Sequence, residues 1–446
     1  MTKRQAQRRQ TQRRVRISKN KTSKKAHVIG TGVTSCVVKP RYQCEGESTK
    51  QYNTRAKDEV GKVMTHRDAK YESRYEKDIR ELDPHGIFTL GSSRVCMPKG
   101  SPSDIREELI SQGCNTRRLM RDMNKPVSMV ISKYGGTSVD DIDPERVASS
   151  FKRFIPTQPS GKSISAIMVT EAIRLLYGVQ RIQKTGKTHF DLHSGNVLMN
   201  PHTAELRMID FINANTNEFM VSNDDIVSLI IRYASLLNVR NYHQFPTELP
   251  IIAVLATKDS SPDILHPVIL LEPTLPTDIR EAIEDGAEGR SSGALRRALR
   301  RLPPASPYLS VGDVLLPDRI PEGDTLFNER CRCIVGMWET TRHIPSAANR
   351  TRHVLRRCIH TMDSFAVGNV LYEYIIKVLG GFGKGLDMDS LDVLLRVVNS
   401  LRNPSQSSRI RVSTALDSLR SLAKSLPDDP RGAAVQRVHT TVSDAI

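Results

Sequence analysis

The chain has 446 residues, 38% hydrophobic and 26% charged, which supplies enough apolar material for a buried core and excludes wholesale disorder. Its formal net charge of +17 is unevenly placed: residues 1–25 carry eleven Lys and Arg side chains and no Asp or Glu, leaving +6 for everything else. No run of about 18 apolar residues exists, so a membrane-spanning segment is not expected.

Residues 1–26 read as a disordered basic tail, because a block of like charge with no apolar repeat repels itself. It would attract nucleic acid or another polyanion, or act as a solvated terminus only. His27 to Lys39 then predicts strand, glycine turn, strand, and residues 42–58 read as a polar loop. Glu59 to Met64 predicts a short strand, and Asp68 to Leu82 a helix carrying Tyr71, Tyr75, Ile79 and Leu82 at helical spacing. Val127 to Ser132 is an apolar strand that runs into Lys133-Tyr134-Gly135-Gly136, where paired glycines suit a change of chain direction. From Ser163 a long helix is predicted, with an apolar face from Ile164 to Ile182 and an end at Gly186. Residues 276–306 mix acidic residues, Gly, Ser and Pro with the basic repeat GALRRALRRL, a solvated insertion. Leu391–Leu401 and Ser413–Leu426 predict closing helices.

Seven cysteines (Cys36, Cys44, Cys96, Cys114, Cys331, Cys333 and Cys358) are an odd number at irregular spacing, with no apolar signal segment before them. That pattern predicts unligated thiols and a reducing, intracellular compartment. Cys331 and Cys333 form a lone CxC without the second pair that a zinc site needs.

The strongest chemical signal is HFDLHSGNVLMNPHTAELRMIDF, residues 189–211. Asp191 and Asn196 are five apart on a loop that follows the long helix, and Asp210 ends what reads as a β-hairpin. Two carboxylates and an amide oxygen in this order suit phosphoryl transfer, where catalysis is mostly positioning and cancellation of phosphate charge. One carboxylate, Asp191, would orient the acceptor hydroxyl. Asp210 and Asn196 would hold hard, oxygen-seeking metal ions.

These residues resemble the protein-kinase family: HFDLHSGN stands where its HRDxxxxN catalytic loop stands, and IDFI where its DFG stands. The resemblance implies an α+β, bilobal protein-kinase-like fold. It comprises a small β-rich N-lobe over 27–131, a hinge at 132–136, a mainly helical C-lobe over 137–426 with an insertion at about 250–360, and a C-terminal tail over 427–446. It implies ATP and Mg²⁺ (or Mn²⁺) as cofactors. Gly30 and Gly32 resemble the glycine-rich loop, Val37 would cover adenine, and Lys133 and Tyr134 would present backbone groups to it. Lys62 resembles the strand lysine of the family, with Lys39 and Lys50 as rivals. Glu76 resembles its ion-pair partner, with Glu72 one turn earlier on the same face. Phe245-Pro246-Thr247-Glu248 resembles the APE motif with Arg411 as the partner of its Glu, and Asp363 to Glu373 resembles the helix that anchors the catalytic loop.

Four positions depart from the family: Ser35 for the third glycine, Phe190 for the HRD arginine, His193 for a lysine, and Ile212 for the DFG glycine. His193 would contact the γ-phosphate in place of that lysine. The implied activity is a serine/threonine protein kinase acting on a protein hydroxyl. The alternatives are a pseudokinase or virion-associated polyanion-binding protein, and a small-molecule phosphotransferase of kinase-like fold. IGTGVTSCVVKP followed by a late lysine and LDP is most similar to the divergent serine/threonine kinases of large nucleocytoplasmic DNA viruses, which implies host cytoplasm or virion as the location.

Overall fold

In the computed structural model, alternating apolar residues in five short strands build an antiparallel sheet. The structure describes residues 26–32, 34–91, 93–155, 160–189, 191–211, 344, 347–403 and 409–432. The architecture is α+β. Contacts divide the chain into two units, one of Met1–Lys77 with Gly91–Tyr134 and the other of Asp78–Leu90 with Gly135–Ile446.

The first unit holds β1 (His27–Thr31), β2 (Cys36–Lys39), α1 (Thr49–Arg55), β3 (Glu59–Thr65), most of α2 (His66–Leu82), β4 (Arg94–Cys96), α3 (Pro102–Ser111), α4 (Arg117–Met120) and β5 (Val127–Lys133). The strands form one antiparallel sheet in the order β1-β2-β3-β5-β4. Strand periodicity sends successive side chains to opposite faces. Cys36, Val38, Val63, Met129 and Ile131 thus pack with Ile105, Leu109 and Leu119 from α3 and α4. Met64 and Val130 pack on the other face with Ala69 of α2.

Two expectations are corrected here. Residues 42–58 are not all loop, since Ser48 and Gln51 form a reciprocal capping box that starts α1. The thiols are not all unligated: Cys36 is disulfide-bonded to Cys114 and Cys44 to Cys96, with Cα separations of 6.2 and 5.8 Å. Both pairings join segments more than 50 residues apart, so spacing along the chain carried no trace of them. Cys331 and Cys333 lie outside the described residues.

The second unit holds β6 (Thr137–Ser138), α5 (Pro144–Lys152), α6 (Gly161–Lys184), β7 (Val197–Met199), β8 (Leu206–Met208), α7 (Ala347–Phe382), α8 (Met388–Leu401) and α9 (Val412–Ser425). Strands β6, β7 and β8 form a three-stranded antiparallel sheet. The predicted one-sided helix is α6, but it is buried on every side from Ile164 to Val179. It is the axis of the core, packed by α7, α8 and α9. Within α7, Thr361–Phe382 is long and apolar enough to cross a membrane by length and composition, and 67% of that window is buried inside the protein, as a core helix would be. The first turns of α7 take up the last part of the expected 250–360 insertion, whose remainder lies outside the described residues, apart from residue 344. Residues 1–25 of the basic tail, the repeat of residues 293–302 and the FPTE segment also lie outside them.

Gly136 turns the chain into β6 with φ +111, and a Cβ there would meet the carbonyl of Met199 and lie 2.8 Å from the Cα of Asn200. Gly135 has a negative φ, and its Cβ would meet the ends of the Leu90 and Leu198 side chains instead. Backbone cannot give way as a leucine rotamer can. Gly136→Ala is therefore expected to destabilise the protein by about 3 kcal/mol and Gly135→Ala by clearly less, read as midpoints of urea denaturation.

Candidate active site

Bonds made at His189 and from His193 to Asn196 flank the described residues around Asp191. His189 donates its backbone N–H to Asp363 Oδ2 of α7 at 2.7 Å, and Asp363 is buried. The His189 ring is fully buried against Phe211, with centroids 4.9 Å apart, and its Nε2 lies 3.2 Å from the carbonyl of Ile209. His193 starts a 3₁₀ turn, Ser194–Asn196, by accepting the Gly195 N–H at Nδ1, 3.1 Å away. With Nδ1 an acceptor, the neutral ring carries its proton on Nε2, the atom 3.9 Å from Asp191 Oδ1. The structure thus places His193 beside Asp191.

Asn196 joins the three predicted oxygen-bearing residues. Its Nδ2 donates to the carbonyl of Asp191 at 2.8 Å, and its own carbonyl accepts the N–H of Ile209, the neighbour of Asp210, at 2.9 Å. The amide nitrogen is thereby engaged, which turns Oδ1 away from the Asp191 carbonyl. Asp210 has φ 61, a left-handed conformation that costs most residues about 1–2 kcal/mol and that Asp tolerates. Among the described residues no group of three His, Cys, Asp or Glu side chains could hold a metal by itself. One carboxylate and one amide oxygen nevertheless fit Mg²⁺ or Mn²⁺ presented with phosphates and water, since Mg²⁺ takes few protein ligands.

The hairpin is set by a buried charge cluster. Glu171 of α6 is fully buried and accepts the N–H of Leu206 in β8 at 2.6 Å. The same carboxylate lies 2.6 Å from Arg431 Nη1 and 2.9 Å from Arg174 Nε. Arg431 also bonds Asp429 and the carbonyls of Thr203 and Ala204 in the β7–β8 turn. Burial works against its charge, but Glu171 and Asp429 outweigh that and raise its pKa. Arg174 reaches Glu205 at 3.2 Å. Segment 427–432, expected to belong to a tail, is therefore pinned into this unit at Arg431.

In the first unit, strand register places Gly30 opposite Val37, and Val37 opposite Lys62. All three share one face, and Lys62 sits 2.9 Å from Glu72, not the expected Glu76. The reason is that α2 starts on the residue after β3 ends. With no connecting loop, the second turn already lies over Lys62, which puts the buried Glu72 within reach. Lys39, a rival for the lysine role, instead lies over the Tyr134 ring, 3.2 Å from its centroid. The Tyr134 N–H, expected to serve adenine, donates to the carbonyl of Asp58 at 2.8 Å. Lys133 is exposed at the end of β5. Gly32 closes its turn through an N–H bond to the carbonyl of Ser35 at 2.8 Å.

Arg411, the expected partner of Glu248, is exposed at the start of α9. Two residues earlier, Arg409 is buried, bonded to the carbonyls of Asn403 and Thr361 and stacked over Phe365. Phe190, Ile212 and Glu248 lie outside the described residues.

Burial pushes the His189 imidazole down to about 4, so it is neutral in the folded state at neutral pH. Unfolded, it would titrate near its ordinary 6.5. Between these values the unfolded chain holds the extra proton, so stability falls as pH drops from 6.5 toward 4, by about 3 kcal/mol in full. His189→Gln is expected to flatten that part of the stability–pH curve, measured by urea denaturation in metal-free buffer. Superimposable slopes for the two proteins would refute the assignment. No protein-family model matches the chain, and no curated protein matches it.

Proposed function

We propose that this chain is an ATP-dependent serine/threonine protein kinase of bilobal kinase-like fold, its first unit the N-lobe and its second the C-lobe. The observation that carries the reading is the double engagement of Asn196. It bonds Asp191 through its side chain and the residue next to Asp210 through its main chain, so three oxygen-bearing side chains gather at one end of a hairpin.

In this reading Asp191 accepts a hydrogen bond from the acceptor hydroxyl and takes its proton as phosphate transfers, with His193 Nε2 beside its carboxylate at 3.9 Å. Lys62, fixed by Glu72, contacts the α- and β-phosphates, and the Gly30–Gly32 turn admits phosphate close to backbone N–H groups. Val37 packs on adenine. Asn196 and Asp210 hold the metal, which when bound neutralises phosphate charge. The committed Tyr134 N–H leaves adenine recognition to other groups of residues 132–134.

The test is transfer of labelled γ-phosphate from ATP to generic protein acceptors with Mg²⁺ or Mn²⁺. Label on seryl or threonyl side chains is the expected result. Absence of both transfer and metal-dependent ATP binding would overturn the proposal, and label on a small-molecule acceptor alone would replace it with the phosphotransferase reading.

A further inference from the structure

The glycine turn of the first unit is gripped from outside by a segment that the phosphate chemistry does not otherwise use, residues 112–116 between α3 and α4. Three attachments converge on it. Gln112 offers both ends of its amide to the start of β1: Oε1 accepts the Val28 N–H at 2.8 Å and Nε2 donates to the Ala26 carbonyl at 2.9 Å, as a neighbouring strand would. Cys114 is bonded to Cys36, the first residue of β2. Thr116 is buried, and its hydroxyl donates to the Gly32 carbonyl at 2.9 Å, with the Ser35 carbonyl at 3.3 Å.

Thr116 occupies the residue before α4, where a threonine hydroxyl ordinarily accepts an N–H of the helix's first turn. Here it makes no such bond. The hydroxyl is turned to the glycine segment instead, at the expense of its own helix. A trans peptide is planar with C=O and N–H on opposite sides, so fixing a carbonyl also fixes the direction of the N–H in the same unit. Thr116 therefore ties down the Gly32 and Ser35 sides of the turn.

We propose that Thr116, with Gln112 and the Cys36–Cys114 bond, forms a strut that holds the glycine turn in its phosphate-binding shape, Thr116 being a positioning residue for ATP. The inference rests on the kinase reading and assigns a role to the α3–α4 segment. A glycine turn without such a strut must order itself on each nucleotide it binds, a cost in conformational entropy that a prefixed turn avoids.

The full-length protein is tested as wild type, Thr116→Val, Thr116→Ser and Gln112→Leu, with two readouts: hydrogen exchange of amides in residues 27–36, and equilibrium binding of ATP with Mg²⁺. Thr116→Val keeps shape and removes the donor. It is expected to speed exchange in this segment and to weaken ATP binding about fivefold, with kcat unchanged and KM raised, the scale of one lost hydrogen bond. Thr116→Ser is expected to restore both, and Gln112→Leu to act in the same direction through β1. Unchanged exchange in Thr116→Val and Gln112→Leu would overturn the strut. Faster exchange with unchanged ATP affinity would reduce Thr116 to a structural residue and overturn its role toward nucleotide. If the wild type binds no ATP, the kinase reading fails, and the strut, even if its exchange signature persists, loses the ligand assigned to it.

Discussion

Asp191→Asn is expected to lower phosphoryl transfer on the order of 10³-fold while leaving Mg²⁺-dependent ATP binding near the wild-type value, the scale of losing a positioned base. Asp210→Asn should behave differently, losing metal-dependent ATP binding along with transfer. The separation follows from the two environments. Asp191 lies on the loop with Asn196 bonded to its backbone carbonyl, so the amide exchange leaves that anchor intact. Its carboxylate is the group changed, and in the proposed mechanism only the proton-accepting step needs it. Asp210 stands at the same end of the hairpin, after its second strand, in a left-handed conformation, which asparagine also tolerates, so its replacement alters charge without reshaping the backbone. Equilibrium binding of ATP, with and without Mg²⁺, set beside kcat measures the split. Equal, near-wild-type transfer by both variants would remove these residues from the chemistry.

Glu171→Ala is expected to destabilise the protein by about 3–5 kcal/mol, the largest effect on stability predicted here. The carboxylate is fully buried between two guanidinium groups, Arg174 and Arg431, and also accepts the N–H of Leu206. Removing it leaves two buried cations short of an anion and a buried N–H without its acceptor, each costly in a medium of low polarity. Asp429 and Glu205 still face Arg431 and Arg174, which keeps the loss below that of a wholly uncompensated charge. Glu171→Gln keeps the shape and part of the hydrogen bonding, so its loss should be smaller. Urea denaturation of the two variants against wild type measures both. A loss below about 1 kcal/mol for Glu171→Ala would show that the cluster relaxes around its missing centre.

Legibility in the sequence followed the range of the interaction. Strands β1, β2, β3 and β5 and helices α6, α8 and α9 were visible because periodicity is local, and the hairpin with Asp191, Asn196 and Asp210 was visible because its residues sit within a short span. Helix α1 was also legible in principle: Ser48 and Gln51 stand at capping-box spacing, but the polar composition around them reads as loop. Glu76 was favoured over Glu72 because helix spacing puts both on one face, and only the abrupt junction of β3 with α2 decides between them. The cysteine pairs, the meeting of Glu171 with Arg431 across 260 residues, and the grip of Thr116 on Gly32 join distant segments. No pattern in one sequence marks such contacts. Arg409 and Arg411, at alternate positions, look alike in the sequence until packing buries the first and exposes the second.

The junction of β3 and α2 bears on how an enzyme of this design could be governed. Thr65, the last residue of the strand, bonds Asp68 through both its hydroxyl proton and its hydroxyl oxygen, and Arg118 holds the other oxygen of Asp68 at 2.7 Å. With no slack between strand and helix, α2 cannot swing away from Lys62 as a hinged helix would. Separating Lys62 from Glu72 would require melting the first turns of the helix or the end of the strand. An activator that works by pulling this helix inward would find it already seated. The proposed kinase is thus wired in the on position at this pair, and restraint has to come from outside it, through the supply of acceptor protein, nucleotide or metal.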